Sequence, residues 1–296
     1  MYREGEKRED HLNDVFATPA GGPEDPEKWQ EFLAFNNNQI RELMTNYGTV
    51  DILWFDGDWE RSAAQWKAKE FKAYLESLNP NVIVNSRLQG YGDYETPEQG
   101  IPVIGPKGVW EFCTTINDSW GYRPSDNDYK TSRQIIRMFC DCLTLGGKML
   151  LDVGPKEDGT LDERQVKVLE DLGRFIHDNE EAIYETEKGL SYNQFLGGST
   201  LSQDKKTIYL FVYDKPVENL CVKGIKTPVK RVSVLHTGEE LSFSYTGALP
   251  WSGIPGTLWI RADEAKLHPL TTVLKVELEG EITYNLGHGE VVTNND

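Results

Sequence analysis

The chain has 296 residues and a formal net charge of −17, with 31 Lys and Arg against 48 Asp and Glu. Such a charge repels phosphate backbones and anionic lipid, so the composition argues against nucleic-acid and membrane partners. No apolar run approaches the roughly 20 residues that span a bilayer, and the length favours two domains because single cores stop growing near about 250 to 300 residues.

The N-terminal part of the chain predicts an arm followed by a helix. Residues 1–24 are charged and then rich in Gly and Pro. Asp25 and Pro26 suit the N-cap and the first position of a helix that should end near Gly48. The polar start also lacks the apolar segment of a secretory signal, which favours a cytoplasmic protein unless an upstream segment is missing.

Strands and helices then alternate along residues 25–187. The predicted strands lie at 50–55, 82–88, 109–116 and 148–155, and the predicted helices at 63–78, 132–143 and 162–178. The first strand, VDILWF, has the near-continuous apolar character of a parallel strand that is covered on both faces. The alternation predicts an α/β domain.

Past Gly189 the pattern changes to short strands separated by turns rich in Gly, Pro and Asp. They lie at 207–213, 217–224, 229–236, 240–247, 257–262 and 272–280. No helical periodicity intervenes, so residues 188–296 are predicted to form a β-sandwich.

The four cysteines, at positions 113, 140, 142 and 221, include no CxxC pair and have no histidine at metal-ligand spacing. We therefore expect no disulfide framework, no metal site and no cofactor. Cys140 and Cys142 fall within an apolar helical pattern and are predicted to be core thiols. This cysteine usage suits a reducing compartment.

Acidic and aromatic residues gather at the carboxyl ends of the predicted parallel strands, where ligands bind in such folds. The strand ends deliver Trp54 and Asp56, Asn85 and Arg87, Trp110 and Glu111, and Asp152, and the loop after the second strand adds Asp93, Glu95 and Glu98. Carboxylates that flank a scissile bond, with aromatics that stack on a sugar, indicate glycoside hydrolysis.

Simpler interpretations of each residue stay open at this point. An Asp between a strand and a Gly often caps a helix or closes a turn, which would explain Asp56. Glu98 could be an exposed loop residue, and Arg87 could neutralise an acidic surface. Trp110 and Trp120 could both belong to the core.

Six motifs in a fixed order resemble glycoside hydrolase family 29, the α-L-fucosidases. They are WFDGDWE (54–60), VNSRL (84–88), GDYETPEQ (92–99), WEFCTTINDSWGY (110–122), GGKMLLDVGPKEDGT (146–160) and EEAIYET (180–186). The resemblance implies that Asp56 is the nucleophile of a retaining mechanism and Glu98 the acid/base. It also implies a fucosylated glycan or an aryl fucoside as substrate.

The resemblance implies further substrate contacts. Arg87 matches an arginine near the fucose and the nucleophile, and Trp54 and Trp120 match aromatics that line the sugar pocket. Trp110 and Glu111, from the third strand, complete the predicted substrate-binding set. Many members have the sequence Asn-Asp-Arg where this chain has Asn85-Ser86-Arg87. Whatever the aspartate does in those members is therefore done differently in this chain.

Members also have barrel strands before the nucleophile strand, with histidines that hold the fucose, and these lack a counterpart here. A full barrel takes about 250 residues, so the expected fold is a partial TIM-type β/α barrel followed by a β-sandwich. Its open strand edges predict a homo-oligomer that completes the half-barrel. Three alternatives stay open: one piece of a split or truncated enzyme that needs its other piece, a fucosidase-like protein that binds sugar or a partner without turnover, and an unrelated α/β hydrolase.

Overall fold

The computed structural model describes residues 25–262 and 267–286, so the predicted arm at 1–24 lies outside the described residues. The chain divides into two compact units, Met1–Thr96 and Pro97–Asp296. The domain boundaries predicted at 24/25 and 187/188 stay predictions. Among the described helices, none is long and apolar enough to cross a membrane.

The first unit opens with helix α1, Pro26–Asn46. The Asp25 carboxylate accepts hydrogen bonds from the backbone amides of Glu27 and Lys28, at 3.0 and 3.3 Å, and so satisfies two amides that lack helical partners. Pro26 takes the first helical position. The predicted start of this helix is confirmed.

A short parallel sheet follows in this unit. Strand β1, Ile52–Leu53, pairs in register with β2, Ile83–Val84. Both strands are shorter than predicted, and only one face of the pair is covered: Leu53 and Val84 are buried, whereas Ile52 and Ile83 are 55% and 40% exposed. The prediction that both faces are covered was wrong for these residues.

The segment between β1 and β2 forms two helices where the sequence predicts one, α2 at Ala63–Trp66 and α3 at Ala68–Leu78. The break lies at Lys67, whose φ of 51° is in the left-handed region. The indole of Trp29 donates to the Gln65 carbonyl at 2.9 Å, and that of Trp66 donates to the Asp58 carbonyl at 2.8 Å. These two contacts tie α2 to α1 and to the turn at Asp58.

The second unit begins with the same kind of alternation. Strand β3, Glu111–Thr115, pairs in parallel with β4, Lys148–Asp152, and helices α4, Ser132–Thr144, and α5, Glu163–Asp178, follow the two strands in turn. In α5 the buried face carries Val168, Leu172 and Phe175, and Val166 is exposed. The sequence spacing predicts an apolar face with Val166, Leu169, Gly173 and Ile176; Leu169 and Ile176 pack, partly buried, against the same cluster, whereas Val166 does not.

The rest of this unit is a β-sandwich. Its strands are β5 Thr186–Lys188, β6 Gly198–Ser202, β7 Thr207–Val212, β8 Leu220–Val222, β9 Val229–Val234, β10 Phe243–Thr246, β11 Thr257–Ile260 and β12 Thr272–Leu278. A five-stranded antiparallel sheet has the order β5-β6-β7-β12-β9, and a three-stranded one has the order β10-β11-β8. Strands β5 and β6 were not predicted.

The larger sheet also packs against the helices of its own unit. Tyr209, Phe211 and Val273 share one buried cluster with Ile135 and Ile136 of α4. Cys140 and Cys142 of that helix are fully buried, and burial raises the pKa of the Cys142 thiol to about 12. Both cysteines are core thiols, as predicted. The fold is a partial β/α barrel followed by a β-sandwich.

Candidate active site

Asp56 lies three residues after Leu53, the last residue of β1. Gly57 follows it with a φ of 82°, which the chain needs to turn away from the strand. The Asp56 side chain is 59% exposed and forms an ion pair with the guanidinium of Arg87, whose side chain is only 13% exposed. The pair thus joins a carboxylate that is open to solvent to a cation that is largely covered.

Arg87 is also held by an aromatic ring. Its guanidinium carbon lies 4.6 Å from the centroid of Trp54, which is the distance of a cation–π contact. Trp54, Asp56 and Arg87 were all predicted to be site residues, and the structure brings them together. Their contact needs β1 and β2 to run parallel in register, since that arrangement puts the two strand ends at one edge.

Three alternate residues after β2, Asn85, Arg87 and Gln89, contact the segment that carries Asp56 through hydrogen bonds or an ion pair. Asn85 accepts from the Phe55 amide at 2.9 Å and donates to the Phe55 carbonyl at 2.8 Å. Gln89 donates its backbone amide to the Asp58 carboxylate and its side-chain amide to the Asp58 carbonyl, both at 2.7 Å. With Arg87 between them, the three residues form what we call the 85–87–89 clamp.

Ser86, between Asn85 and Arg87, directs its hydroxyl to Thr96 of the loop that follows. It lies 2.9 Å from the Thr96 hydroxyl and accepts from the Thr96 amide at 3.2 Å. Thr96 is buried. Ser86 therefore fixes Thr96, the last residue of the first unit.

Glu98 lies in the second unit, on a segment that runs parallel to β3. The Cys113 amide donates to the Pro97 carbonyl at 3.0 Å, and the Gln99 amide donates to the Cys113 carbonyl at 2.9 Å, so Glu98 stands opposite Cys113. The Gln99 side chain bonds to the hydroxyls of Thr114 and Thr115, both at 3.1 Å. Glu98 is exposed, and the residues before and after it are both hydrogen-bonded to Cys113 of β3.

Strand β4 places a second acid on the face of β3 that carries Cys113. Asp152 stands opposite Thr115 in the parallel register, two positions beyond the Cys113–Leu150 pair. Successive residues of a strand alternate between faces, so these pairs share a face. One Asp152 carboxylate oxygen is buried without a hydrogen-bond partner in the described chain, and burial raises the pKa of this carboxyl.

Trp120 is exposed on a loop that Asp126 organises. The Asp126 carboxylate accepts from the Asn117 side chain at 2.7 Å, from the Ser119 amide at 2.9 Å and from the Asp128 amide at 3.2 Å. These hydrogen bonds lower the pKa of Asp126, those of Asn117 and Ser119 most. No sequence signal had indicated Asp126, although an aspartate that follows Pro and Ser is typical of a turn.

Trp110 and Glu111 have different surroundings from the other predicted contacts. Trp110 is 1% exposed in a cluster with Phe112 and Cys142, and its ring packs so closely on Gly147 that a Cβ there would lie 2.5 Å away. The core interpretation describes this environment, and a sugar contact stays a prediction. Glu111 is half-buried and stands opposite Lys148 in the register.

Comparisons with known proteins agree on one family. The family model described as alpha-L-fucosidase matches residues 6–181. Among curated proteins, the α-L-fucosidase of Dictyostelium discoideum is 28% identical over 199 residues, which cover 62% of this chain and 42% of that protein. The putative α-L-fucosidase of Caenorhabditis elegans is 28% identical over 266 residues, with 73% and 54% covered. The chain spans about half the length of these curated relatives.

Solved structures give the same result. The α-L-fucosidase isoenzyme 1 of Paenibacillus thiaminolyticus is 30% identical with a TM-score of 0.75, over 88% of this chain and 64% of that one. A family 29 α-L-fucosidase of Bacteroides thetaiotaomicron, trapped as a covalent intermediate with 2-fluoro-fucosyl fluoride in a glutamate-to-glutamine mutant, is 25% identical with a TM-score of 0.75 over the same shares.

Proposed function

Since the chain belongs to the α-L-fucosidase family, we propose that it is a retaining exo-α-L-fucosidase that hydrolyses terminal α-L-fucosides through a covalent fucosyl-enzyme intermediate. The observation that carries this proposal is the Asp56–Arg87 ion pair beside Trp54. It presents a fixed carboxylate, exposed on one side, next to an aromatic ring that a deoxy sugar can pack against.

The residues would act in two steps. First, an Asp56 oxygen attacks the anomeric carbon while Glu98 gives its proton to the leaving oxygen, so the glycosidic bond breaks and a fucosyl ester forms. Glu98 then takes a proton from water, whose oxygen attacks the anomeric carbon and releases Asp56 as a carboxylate. In the first step Arg87 orients the attacking carboxylate through its contact with one Asp56 oxygen. In the second step the same contact stabilises the carboxylate that is released.

The known relatives support this chemistry by analogy. One neighbour is described as a trapped covalent intermediate, obtained by replacing a glutamate with glutamine. A covalent intermediate is the signature of a retaining glycosidase. From their motifs, we assign the two required carboxyl groups to Asp56 and Glu98.

A second candidate is a catalytically weak or inactive protein that binds sugar or a partner. The exposure of Asp56 favours it, because more than half of its side chain faces water. Exclusion of water strengthens the electrostatic interactions of an active site. A nucleophile as exposed as Asp56 must be shielded from water before it can react efficiently.

We propose that a second copy of the chain supplies this cover. Ile52 and Ile83 are register partners, and both expose their side chains on the same face of the β1–β2 pair. Among the described residues, β1 pairs with β2 alone, so its other edge is open to a further strand. A homo-oligomer would bury this apolar face and complete the half-barrel.

The test of the activity is release of 4-nitrophenol from 4-nitrophenyl α-L-fucoside by the purified chain, with the β-anomer as control. NMR during the first turnovers should show α-L-fucose before mutarotation, because two inversions retain the configuration. Initial β-L-fucose would contradict the retaining mechanism. No release above background, with fucose binding preserved in calorimetry, would leave the second candidate.

A further inference from the structure

We propose that Asn85 is a positioning residue for the nucleophile: its amide fixes the peptide plane from which Asp56 projects. This inference rests on the proposed function and adds a residue that is neither one of its two carboxyl groups nor one of its sugar contacts. It starts from the two hydrogen bonds between the Asn85 side chain and both polar backbone groups of Phe55.

Asn85 takes over where the backbone pairing of the two strands stops. The β1–β2 ladder has two register pairs, and its last backbone bond runs from the Asn85 amide to the Leu53 carbonyl at 3.3 Å. Beyond this point the Asn85 side chain meets Phe55 with a donor and an acceptor, as a peptide group of a longer strand would. Asn85 is fully buried, so water cannot replace these bonds.

The Asn85 backbone is itself held from its other side. The Asp93 amide donates to the Val84 carbonyl at 2.7 Å, and the Val84 amide donates to the Asp93 carboxylate at 2.7 Å. Gly92 packs so closely that a Cβ there would lie 2.1 Å from the Asn85 carbonyl oxygen. Asn85 is therefore a fixed point from which Phe55 can be oriented.

The contact acts on Asp56 through one covalent link. The Phe55 carbonyl belongs to the same peptide plane as the Asp56 nitrogen, so the 2.8 Å bond from Asn85 resists rotation of that plane. Rotation would carry the Asp56 carboxylate away from Arg87. A displacement of about 1 Å can cost about 10²-fold in rate when a reacting group is misplaced.

The experiment compares two asparagines whose side chains bond to the chain on either side of β1. Asn79 donates its side-chain amide to the Val50 carbonyl at 2.9 Å, before β1, and Asn85 donates after β1. Asn85→Ala should lower kcat on 4-nitrophenyl α-L-fucoside by about 10- to 100-fold with KM changed by less than about threefold. Asn79→Ala should also lower the Tm, through the loss of its bond to Val50, but leave kcat within about twofold of the parent protein.

Asn85→Asp adds a readout that a purely structural role would not move. In its ionised form the introduced carboxylate still accepts from the Phe55 amide, but it puts a second acceptor against the Phe55 carbonyl. Once protonated it can donate there, so the ratio of the variant's kcat to that of the parent protein should rise as the pH falls. A flat ratio, or equal kcat losses in Asn79→Ala and Asn85→Ala, would overturn the proposal.

A crystal structure of Asn85→Ala separates this inference from the proposed function. We expect the Asp56–Arg87 pair to be broken or Asp56 to be disordered, with Asn79→Ala retaining the pair. An unchanged pair in Asn85→Ala refutes the positioning role even if the parent protein shows no turnover. Conversely, a broken pair in a protein without fucosidase activity would uphold the positioning role and refute only the proposed function.

Discussion

Arg87 pairs with Asp56 across the ends of two parallel strands while its guanidinium lies over the ring of Trp54. The arginine is thereby fixed by a charge on one side and by an aromatic face on another. Its side chain is mostly covered, so its orientation depends on these contacts more than on solvent.

Arg87→Met should lower kcat/KM by about 10- to 100-fold, because hydrogen bonds to charged groups contribute roughly 1.5 to 3 kcal/mol. Arg87→Lys should retain part of the activity, since it keeps the charge and loses the planar stacking on Trp54. Steady-state kinetics on the aryl fucoside provide the measurement. Arg133→Met, which removes the exposed Arg133–Asp214 pair, is the matched control and should leave kcat/KM unchanged. Normal kinetics for Arg87→Met would argue against the role of Arg87.

Asp56→Gly should lose at least about 10³-fold in kcat, because no carboxylate remains to form the fucosyl ester. Added azide can enter the vacated space and attack the anomeric carbon directly, so partial recovery with formation of β-L-fucosyl azide is expected. Product analysis by NMR checks the anomer. Asp51→Gly, at the other end of the same strand, should behave like the parent protein. Near-normal activity of Asp56→Gly would show that the nucleophile is another residue.

Glu98→Ala should affect substrates according to their leaving groups. Poor leaving groups need the proton that Glu98 supplies, so their hydrolysis should fall by about 10²- to 10⁴-fold, whereas 4-nitrophenyl fucoside should fall less. Azide should attack the fucosyl ester from the opposite face and yield α-L-fucosyl azide. Glu95→Ala, an exposed acid in the same loop, is the control. Equal losses for good and poor leaving groups would contradict an acid/base role for Glu98.

Asp152 should make the protein's stability depend on pH in a defined direction. Its pKa is raised by burial, so the folded state binds this proton more tightly than the unfolded state, in which the pKa is about 3.9. At pH values above about 3.9, the ionised carboxyl therefore destabilises the folded state. The Tm of Asp152→Asn relative to the parent protein should rise as the pH increases from about 3 to 7.

Asp158→Asn provides a control of opposite sign. Hydrogen bonds from the Thr160 hydroxyl and amide, at 2.7 and 3.0 Å, lower the pKa of Asp158. Its stabilising contribution is present above the unfolded pKa and is lost as the pH falls, so the Tm deficit of Asp158→Asn should shrink toward about pH 3. A Tm difference for Asp152→Asn that does not vary with pH would refute the prediction for Asp152.

Association should depend on the exposed isoleucines of the β1–β2 pair. Ile52→Glu and Ile83→Lys should shift sedimentation toward the monomer and lower activity, because each puts a charge on an apolar contact face. Val217→Glu changes a fully exposed apolar residue of the sandwich and should leave the association state unaltered. A parent protein that sediments as an active monomer at low concentration would rule out the completed half-barrel.

Much of the fold could be predicted because it depends on local signals. Asp25 and Pro26 mark the start of α1 as the structure has it, and the alternation of strands and helices gives way to a sandwich where the turn composition changes. The left-handed Lys67 could not be predicted, because the indole contacts of Trp29 and Trp66 that accompany it depend on the tertiary structure.

The sequence predicts which residues form the site, but it does not predict the contacts that position them. The motif order singled out Asp56, Arg87 and Trp54, and the structure brings these three together. The roles of Asn85 and Gln89 could not be inferred, because their partners lie 30 and 31 residues away and depend on the register of a two-residue ladder. A sequence pattern carries no information about a side chain that substitutes for backbone pairing.

Gly92 makes the nucleophile's setting sensitive to variation at a position that carries no functional group. Any side chain there would collide with the backbone of Asn85 and Ser86, and the damage would pass along the clamp to Asp56. In a saturation library selected for fucose release, position 92 should therefore be as depleted of substitutions as an acid of the mechanism. A reader of such data alone would count this glycine among the active-site residues.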